Sequence, residues 1–454
     1  MADTLNKKLL SACKDGTEEY VKECIALGAN VNCKDPRGNT PLHLACRSHH
    51  TNPEFITTLL NDNCIPNKKN NEGETPLHSA LRSDNINSEI IIRLLMKKCK
   101  PNEQNNEGNT PLHLACRNLE MSLEIITMLL KNNCIPKAKN KEGDTPLHLA
   151  CRNHRINPEI ISTLLQNNCE PNEQNKEGDT PLHLACRNLG MNPEIISMLL
   201  NNNCIPNAKN KEGDTPLHLA CRNHRINPEI LTTLLQNNCK TNEQNKEGDT
   251  PLHLACRNPD INSEIISTLL KNNCIPNQTN NEGKTVLHIA ASVPSVNPKI
   301  IQALLEYGCF PKEKDGKGRT ALHVAVDKNN VDPNVVKILL ENGCKHDKDI
   351  KGRTALHIAA GAPYVNPNII PALLEYGCFP NVKDEKGQTA LHVAATSHDV
   401  KAIIIKTLLK HGCKPDEMDS QGNTPYMNLI AGDCVHNIEQ KESAMKILKV
   451  ENRI

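Results

Sequence analysis

The chain repeats one phrase. Thr-Pro-Leu-His, or a close copy, begins at Thr40, Thr75, Thr110, Thr145, Thr180, Thr215, Thr250, Thr285, Thr320, Thr354, Thr389 and Thr424. The step is 35 residues at every interval but one, the exception being 34 between Thr320 and Thr354. A fixed period of that length admits few folds. Each unit is too small to bury its own apolar face, so units must stack on their neighbours and share a continuous core. The 454 residues would otherwise suggest several domains. The repeat predicts one elongated domain instead.

Residues 142–173 serve as the reference unit. Thr145 suits an N-cap, its hydroxyl accepting from a free N–H of the first turn. Pro146 follows at the first helical position, where a missing N–H costs nothing. Leu147, Ala150 and Cys151 then share a face whose small members let a second helix approach closely. After a connection, His154-Arg155-Ile156, a second helix starts with Asn157 as cap and Pro158 behind it. Its buried stripe is expected to be Ile160, Ile161, Leu164 and Leu165. Asn168 stands where a left-handed residue ends the helix. Pro171 prevents continuation, and a hairpin leads to the next unit.

This pattern resembles the ankyrin repeat, whose first helix opens on the same Thr-Pro-Leu-His. The resemblance covers essentially the whole chain. It implies an all-α solenoid of stacked helix–turn–helix units with protruding hairpin loops. Residues 4–33 lack the phrase but end in Gly28-Ala29-Asn30-Val31-Asn32, like the ankyrin turn, and read as an N-terminal capping repeat. Residues 37–284 would hold repeats 2–8, a first arm. Residues 285–417 would hold repeats 9–12, a second arm, and 421–454 a C-terminal capping repeat. The ankyrin unit is usually shorter by two residues, placed here between the helices. Residues 141–210 and 211–280 differ at only 12 of 70 positions, a sign of duplication in pairs.

Composition narrows function. Lys+Arg 53 against Asp+Glu 52 gives a net charge of +1, which favours neither nucleic acid nor an anionic membrane as partner. No apolar run is long enough to span a bilayer. The N-terminus has no apolar core of a secretory signal. There are 21 cysteines, an odd number, which without such a signal favours a reducing, intracellular and cytoplasmic setting, the nucleus remaining open. Two ladders account for most of them, one running from Cys64 to Cys413 and one from Cys46 to Cys256. Equivalent positions in adjacent repeats lie roughly 8–10 Å apart, too far for a disulfide. The ladders are expected to be small buried hydrophobes, in the slot where the resemblance places alanine.

Each repeated phrase also supplies a histidine, eleven from His43 to His392. None belongs to a CxxC or HxxxH cluster, so no metal is expected. The resemblance implies a structural role, hydrogen-bonded to threonine and backbone. No nucleophile, base and oxyanion site converge, and no glycine-rich phosphate loop is present, so no catalytic residue and no cofactor are expected.

Two charge columns and one aromatic cluster are candidates for partner binding. Arg117, Arg152, Arg187, Arg222 and Arg257, with Arg47 and Arg82, recur at the end of the first helix. The resemblance implies that this position faces a concave groove. Hairpin tips carry acids such as Glu142, Asp144, Glu177 and Asp179. These acids are expected either to pair with the arginines or to face a partner. Near residue 285 the arginine column stops, the tips turn basic at Lys317, Arg319, Lys351 and Arg353, and aromatics begin: Tyr307, Phe310, Tyr364, Tyr376 and Phe379. The resemblance implies a non-enzymatic scaffold or adaptor that binds partner proteins. Rivals are a substrate adaptor of a ubiquitin ligase and an inhibitor that masks a signalling or transcription factor. The sequence leaves partner identity and oligomeric state open.

Overall fold

The structure is a computed structural model that describes residues 2–83, 86–97, 99–328, 331–362, 366, 368–397, 401–431 and 438–451. Among the described residues there are 26 α-helices and no β-strand. The chain forms two compact units, one of Met1–Ala220 with Glu229–Cys239, the other of Cys221–Pro228 with Lys240–Ile454. In both, helices alternate between a short first type and a longer second type.

The first helices are short because they are bracketed. Pro146–Arg152 starts behind Thr145, whose extended backbone (φ −90°, ψ 166°) cannot continue a helix backwards, and ends at Asn153, also extended. Leu147, His148, Leu149, Ala150 and Cys151 are all buried. This helix is therefore covered on nearly every side, and only Arg152 at its end is exposed. The second helix, Pro158–Gln166, is amphipathic: Ile160, Ile161 and Leu164 are buried. Leu165 departs from expectation and is only half-buried, because it stands at the edge of the apolar arc. Asn157 caps the helix as expected, its side chain accepting from the Glu159 N–H at 2.9 Å. Asn168 takes the left-handed conformation with φ 62°, and the Cys169 N–H then turns back to the Leu164 carbonyl at 3.2 Å.

The threonine cap works differently from the sequence reading. Thr145 Oγ1 lies 2.8 Å from His148 Nδ1, and the Thr145 N–H points to the same nitrogen at 3.1 Å. His148 Nε2 lies 3.0 Å from the Asp179 carbonyl of the next repeat. A carbonyl only accepts, so Nε2 carries the proton and Nδ1 is the acceptor for both threonine groups. The hydroxyl is thus mainly a donor to histidine. The expected hydroxyl–amide bond falls within range at Thr250, which accepts from the His253 N–H at 3.4 Å. Thr145→Ala should still lower stability by about 1 kcal/mol, measured by urea unfolding, and Thr145→Ser should restore most of it. A neutral alanine substitution would show that the hydroxyl contributes nothing.

Repeats are stitched together by polar bonds as well as by apolar burial. Beside the histidine ladder, the hairpins stack directly: the Lys176 N–H donates to the Glu142 carbonyl at 2.8 Å, and the Lys141 N–H to the Glu107 carbonyl at 2.9 Å. Asparagines form further ladders. Asn102 Nδ2 donates to the Asn133 carbonyl at 2.8 Å, while its Oδ1 accepts the Ile135 N–H at 2.8 Å. Asn172 does the same toward Asn203 and Ile205. In the connection between helices, Asn153 Nδ2 reaches the Asn118 carbonyl of the preceding repeat at 3.0 Å. The start of the connection is therefore anchored. Gly143, with φ 77°, needs glycine because a Cβ would lie 3.0 Å from the Lys176 nitrogen in the stacked hairpin.

Candidate functional site

The surface built by hairpins and first-helix ends contains two clefts. One of about 590 Å³ is lined by Glu107, Arg117, Leu119, Glu142, Asp144 and Arg152, among others. A larger one of about 900 Å³ lies at Lys14, Arg37, Leu44, Arg47, His49 and His50. Both lie within the first unit.

The arginine column is positioned by the register of the repeat. In the repeats that carry a column arginine, the residue just before the threonine is buried and stands eight positions ahead of the arginine. In four repeats that residue is an acid holding the arginine of its own repeat. Arg152 pairs with Asp144 at 2.8 Å, Arg187 with Asp179 at 3.1 Å and Arg257 with Asp249 at 2.6 Å. Arg82 pairs likewise with Glu74. The acids are almost fully buried, whereas the arginines remain about half exposed. Arg222 ends its helix at the same register and is exposed.

Of the two expectations for these acids, the geometry matches pairing with the arginines. Asp144 and Asp179 are not tip groups free to meet a partner. Each is 1% exposed and fully engaged: Asp144 accepts from Arg152 and, through Oδ1, from Asn175 Nδ2 at 2.8 Å. Burying a carboxylate is favourable only with such partners. Glu142 and Glu177 do stand exposed on the tips.

The change of tip charge near residue 285 has a local structural cause. The first hairpin turns on Asp35, and those from Asn70 to Asn280 are organised by asparagine. Asn140 Oδ1 accepts the N–H groups of Glu142 and Asp144, and its Nδ2 donates to Asn109 Oδ1 at 2.9 Å. Later hairpins use aspartate, which has no N–H to give. Asp315 Oδ2 instead accepts from the Arg319 guanidinium at 2.9 and 3.0 Å, and Asp349 from Arg353 at 2.8 and 2.9 Å. Burial raises the Asp315 pKa, but the Arg319 backbone N–H and guanidinium and the Lys317 N–H more than offset this, so the net shift is downward. Arg319 and Arg353 are thus counter-charges to a changed turn residue. Arg319 also lies 3.7 Å from Asp327, a reversal of the acid-then-arginine order in the earlier repeats.

The aromatics occupy a different element. Tyr307 and Tyr376 follow the last residue of a second helix, and Phe310 and Phe379 follow ladder cysteines in the ensuing loop. Phe310 and Phe379 are 58% and 61% exposed. Phe379 stacks on His346 with centroids 4.0 Å apart and planes 8° from parallel. The Tyr376 hydroxyl donates to Glu341 Oε1 at 3.3 Å. Tyr364 lies outside the described residues. Sequence position alone had not separated this loop surface from the hairpin clefts.

The histidines of the repeated phrase and the ladder cysteines are buried wherever they are described. Burial holds His43, His78 and His113 at about 4, well below the ordinary imidazole value. The ladder thiols are more than apolar fill: Cys169 Sγ donates to the Pro136 carbonyl at 3.4 Å, and Cys134 Sγ to the Pro101 carbonyl at 3.5 Å. These bonds need the protonated thiol, and burial pushes Cys169 and Cys134 up to about 12. The described cysteines form no disulfide. Native thiol titration at pH 8 should therefore find the ladder slow to react, with rapid labelling only after denaturation; fast native labelling of Cys169 or Cys134 would contradict the geometry. Among the described residues, no group of three His, Cys, Asp or Glu could hold a metal ion, and no helix is long and apolar enough to cross a membrane.

A family model for ankyrin repeats, three copies per match, fits residues 9–91, 83–175, 154–242, 225–315, 293–384 and 362–439. No curated protein matches the chain.

Proposed function

The chain belongs to the ankyrin-repeat family, and from that premise we propose that it is a non-enzymatic scaffold holding a partner protein against its hairpins and first-helix ends. Ankyrin repeats are protein–protein interaction modules, and proteins built of them are typically not enzymes. The observation that supports this surface is the row of half-exposed arginines, each fixed from below by a buried acid. Arginines held in this way lose little side-chain freedom when a partner binds, so contacts made there are not offset by ordering costs. The exposed tip acids Glu142 and Glu177 extend the same surface. A reducing compartment fits the unpaired thiols.

The test is affinity capture with the intact chain from its own cells, followed by substitution. Arg152→Ala, Arg187→Ala, Glu142→Lys and Glu177→Lys together should release the captured partner. Gln166→Lys and Lys271→Glu, on second helices, should not. Retention by the first variant and loss by the second would place binding on the other face and refute the proposal.

A further inference from the structure

The arginine column is not uniform, and the residue before each threonine decides the difference. It is Glu74, Asp144, Asp179 or Asp249 ahead of Arg82, Arg152, Arg187 and Arg257, all of which are paired. It is Asn39 ahead of Arg47 and Asn109 ahead of Arg117. Among the described residues, neither Arg47 nor Arg117 has a carboxylate partner within ion-pair range. Nearby acids are engaged elsewhere. Glu107 Oε2 accepts from Asn109 Nδ2 at 2.8 Å, and Asp144 is held by Arg152 and Asn175. Asp35 accepts from Asn39 Nδ2 at 3.0 Å, and Asp15 from Ser11 Oγ at 3.3 Å. Glu142 lines the cleft of Arg117 but stands exposed at its rim without pairing. Each unpaired arginine lines one of the two clefts, beside an apolar side chain: Arg47 with Leu44, Arg117 with Leu119. Between them, in the intervening repeat, Arg82 is neutralised, and the fully buried Glu74 Oε2 and Ser79 Oγ have no protein partner.

Resting on the scaffold reading above, we infer that the two clefts at Arg47 and Arg117 form a docking surface for an extended acidic protein segment, with one carboxylate seated on each arginine. A guanidinium fork receives a carboxylate in two parallel hydrogen bonds. Adjacent repeats are roughly 8–10 Å apart, so the two arginines are separated by about 16–20 Å, which an extended chain at ~3.3 Å per residue crosses in about five or six residues. A leucine-sized side chain beside each acid would meet Leu44 and Leu119. The acids around Arg117, namely Glu107, Glu142 and Asp144, disfavour a continuous polyanion, so the surface fits spaced carboxylates rather than a nucleic-acid backbone.

The probe is a set of fluorescein-labelled peptides of Gly, Ser and Asn, each carrying two Glu-Leu pairs, with the glutamates two to nine positions apart. Binding to the full chain is read by fluorescence anisotropy. Affinity should peak near a separation of five or six. Arg117→Ala should weaken binding about ten-fold. Asn109→Asp keeps Arg117 but supplies the acid found in the other repeats, so it should weaken binding as much while leaving the melting curve unchanged. Arg152→Ala should change affinity less than about two-fold. Asp144→Asn frees Arg152 and should admit peptides with a separation of two or three. The inference is overturned if no peptide binds, if affinity is flat with separation, if Asn109→Asp binds like the parent, or if a labelled oligothymidylate binds as well as the best peptide. Its failure is distinct from failure of the scaffold reading, which is decided by the captured partner and the tip substitutions.

Discussion

Acidification from neutral pH to about 4 should unfold the chain in a steep transition. The histidine ladder is the reason. Each described ring donates from Nε2 and accepts at Nδ1, as His113 does toward Asp144 and Thr110, so a second proton has no place. His43, His78 and His113 are held at about 4 by burial, against about 6.5 in an unfolded chain. Folded values below unfolded ones mean that the unfolded state binds more protons between these limits. Stability is therefore fully present above pH 6.5 and is lost as pH falls through the window to 4. Each of these three histidines accounts for on the order of 3 kcal/mol at full displacement. His148, His183, His253, His288, His323, His357 and His392 shift the same way. Urea midpoints followed by far-UV circular dichroism should be flat from pH 8 to 7 and fall steadily below 6.5. An unchanged midpoint at pH 4.5 would contradict the ladder geometry. The thiols set the opposite limit: with Cys169 and Cys134 raised to about 12, stability is present below the unfolded thiol value and is lost as pH rises past it.

Leu164→Ala should be the most damaging simple truncation in the reference unit, at about 2–5 kcal/mol. Leu164 is 0% exposed and its carbonyl receives the Cys169 N–H that closes the helix. Its helix cannot shift to fill the void without breaking the asparagine and thiol bonds to adjacent repeats. Leu165→Ala, on the half-buried edge, should cost clearly less. Equal effects of the two substitutions on the urea midpoint would show that the apolar arc is centred elsewhere.

The parts of this fold that were legible in the sequence are those set within one turn of helix. Thr145-Pro146 and Asn157-Pro158 announce helix starts, and Asn168 announces the left-handed exit, because each acts on its own backbone. Bonds between repeats were hidden. Asn102 and Asn153 look like loop polarity until their partners, some 31 to 35 residues away, are brought alongside. The same holds for the clefts. The sequence displays a column of arginines but not which are neutralised, since that depends on whether Asn109 or Asp144 lies folded beneath. The thiols were legible as buried but not as donors, since the Pro136 carbonyl belongs to the previous repeat.

The ladders also bear on how such a chain changes length. Partners are offset by 31 residues, as in His113 to Asp144 and His148 to Asp179, and by 30 only from His323 to Arg353, across the 34-residue step. Excision or duplication of one whole period rejoins every donor to an acceptor of the same kind, wherever the break falls within the period. Unequal recombination between near-identical stretches such as 141–210 and 211–280 would therefore produce foldable descendants without compensating substitutions. Had it occurred between Asn39 and Asn109, it would have altered the distance between the two unpaired arginines by one repeat, so copy number in this lineage would act as a ruler for what the surface can grip.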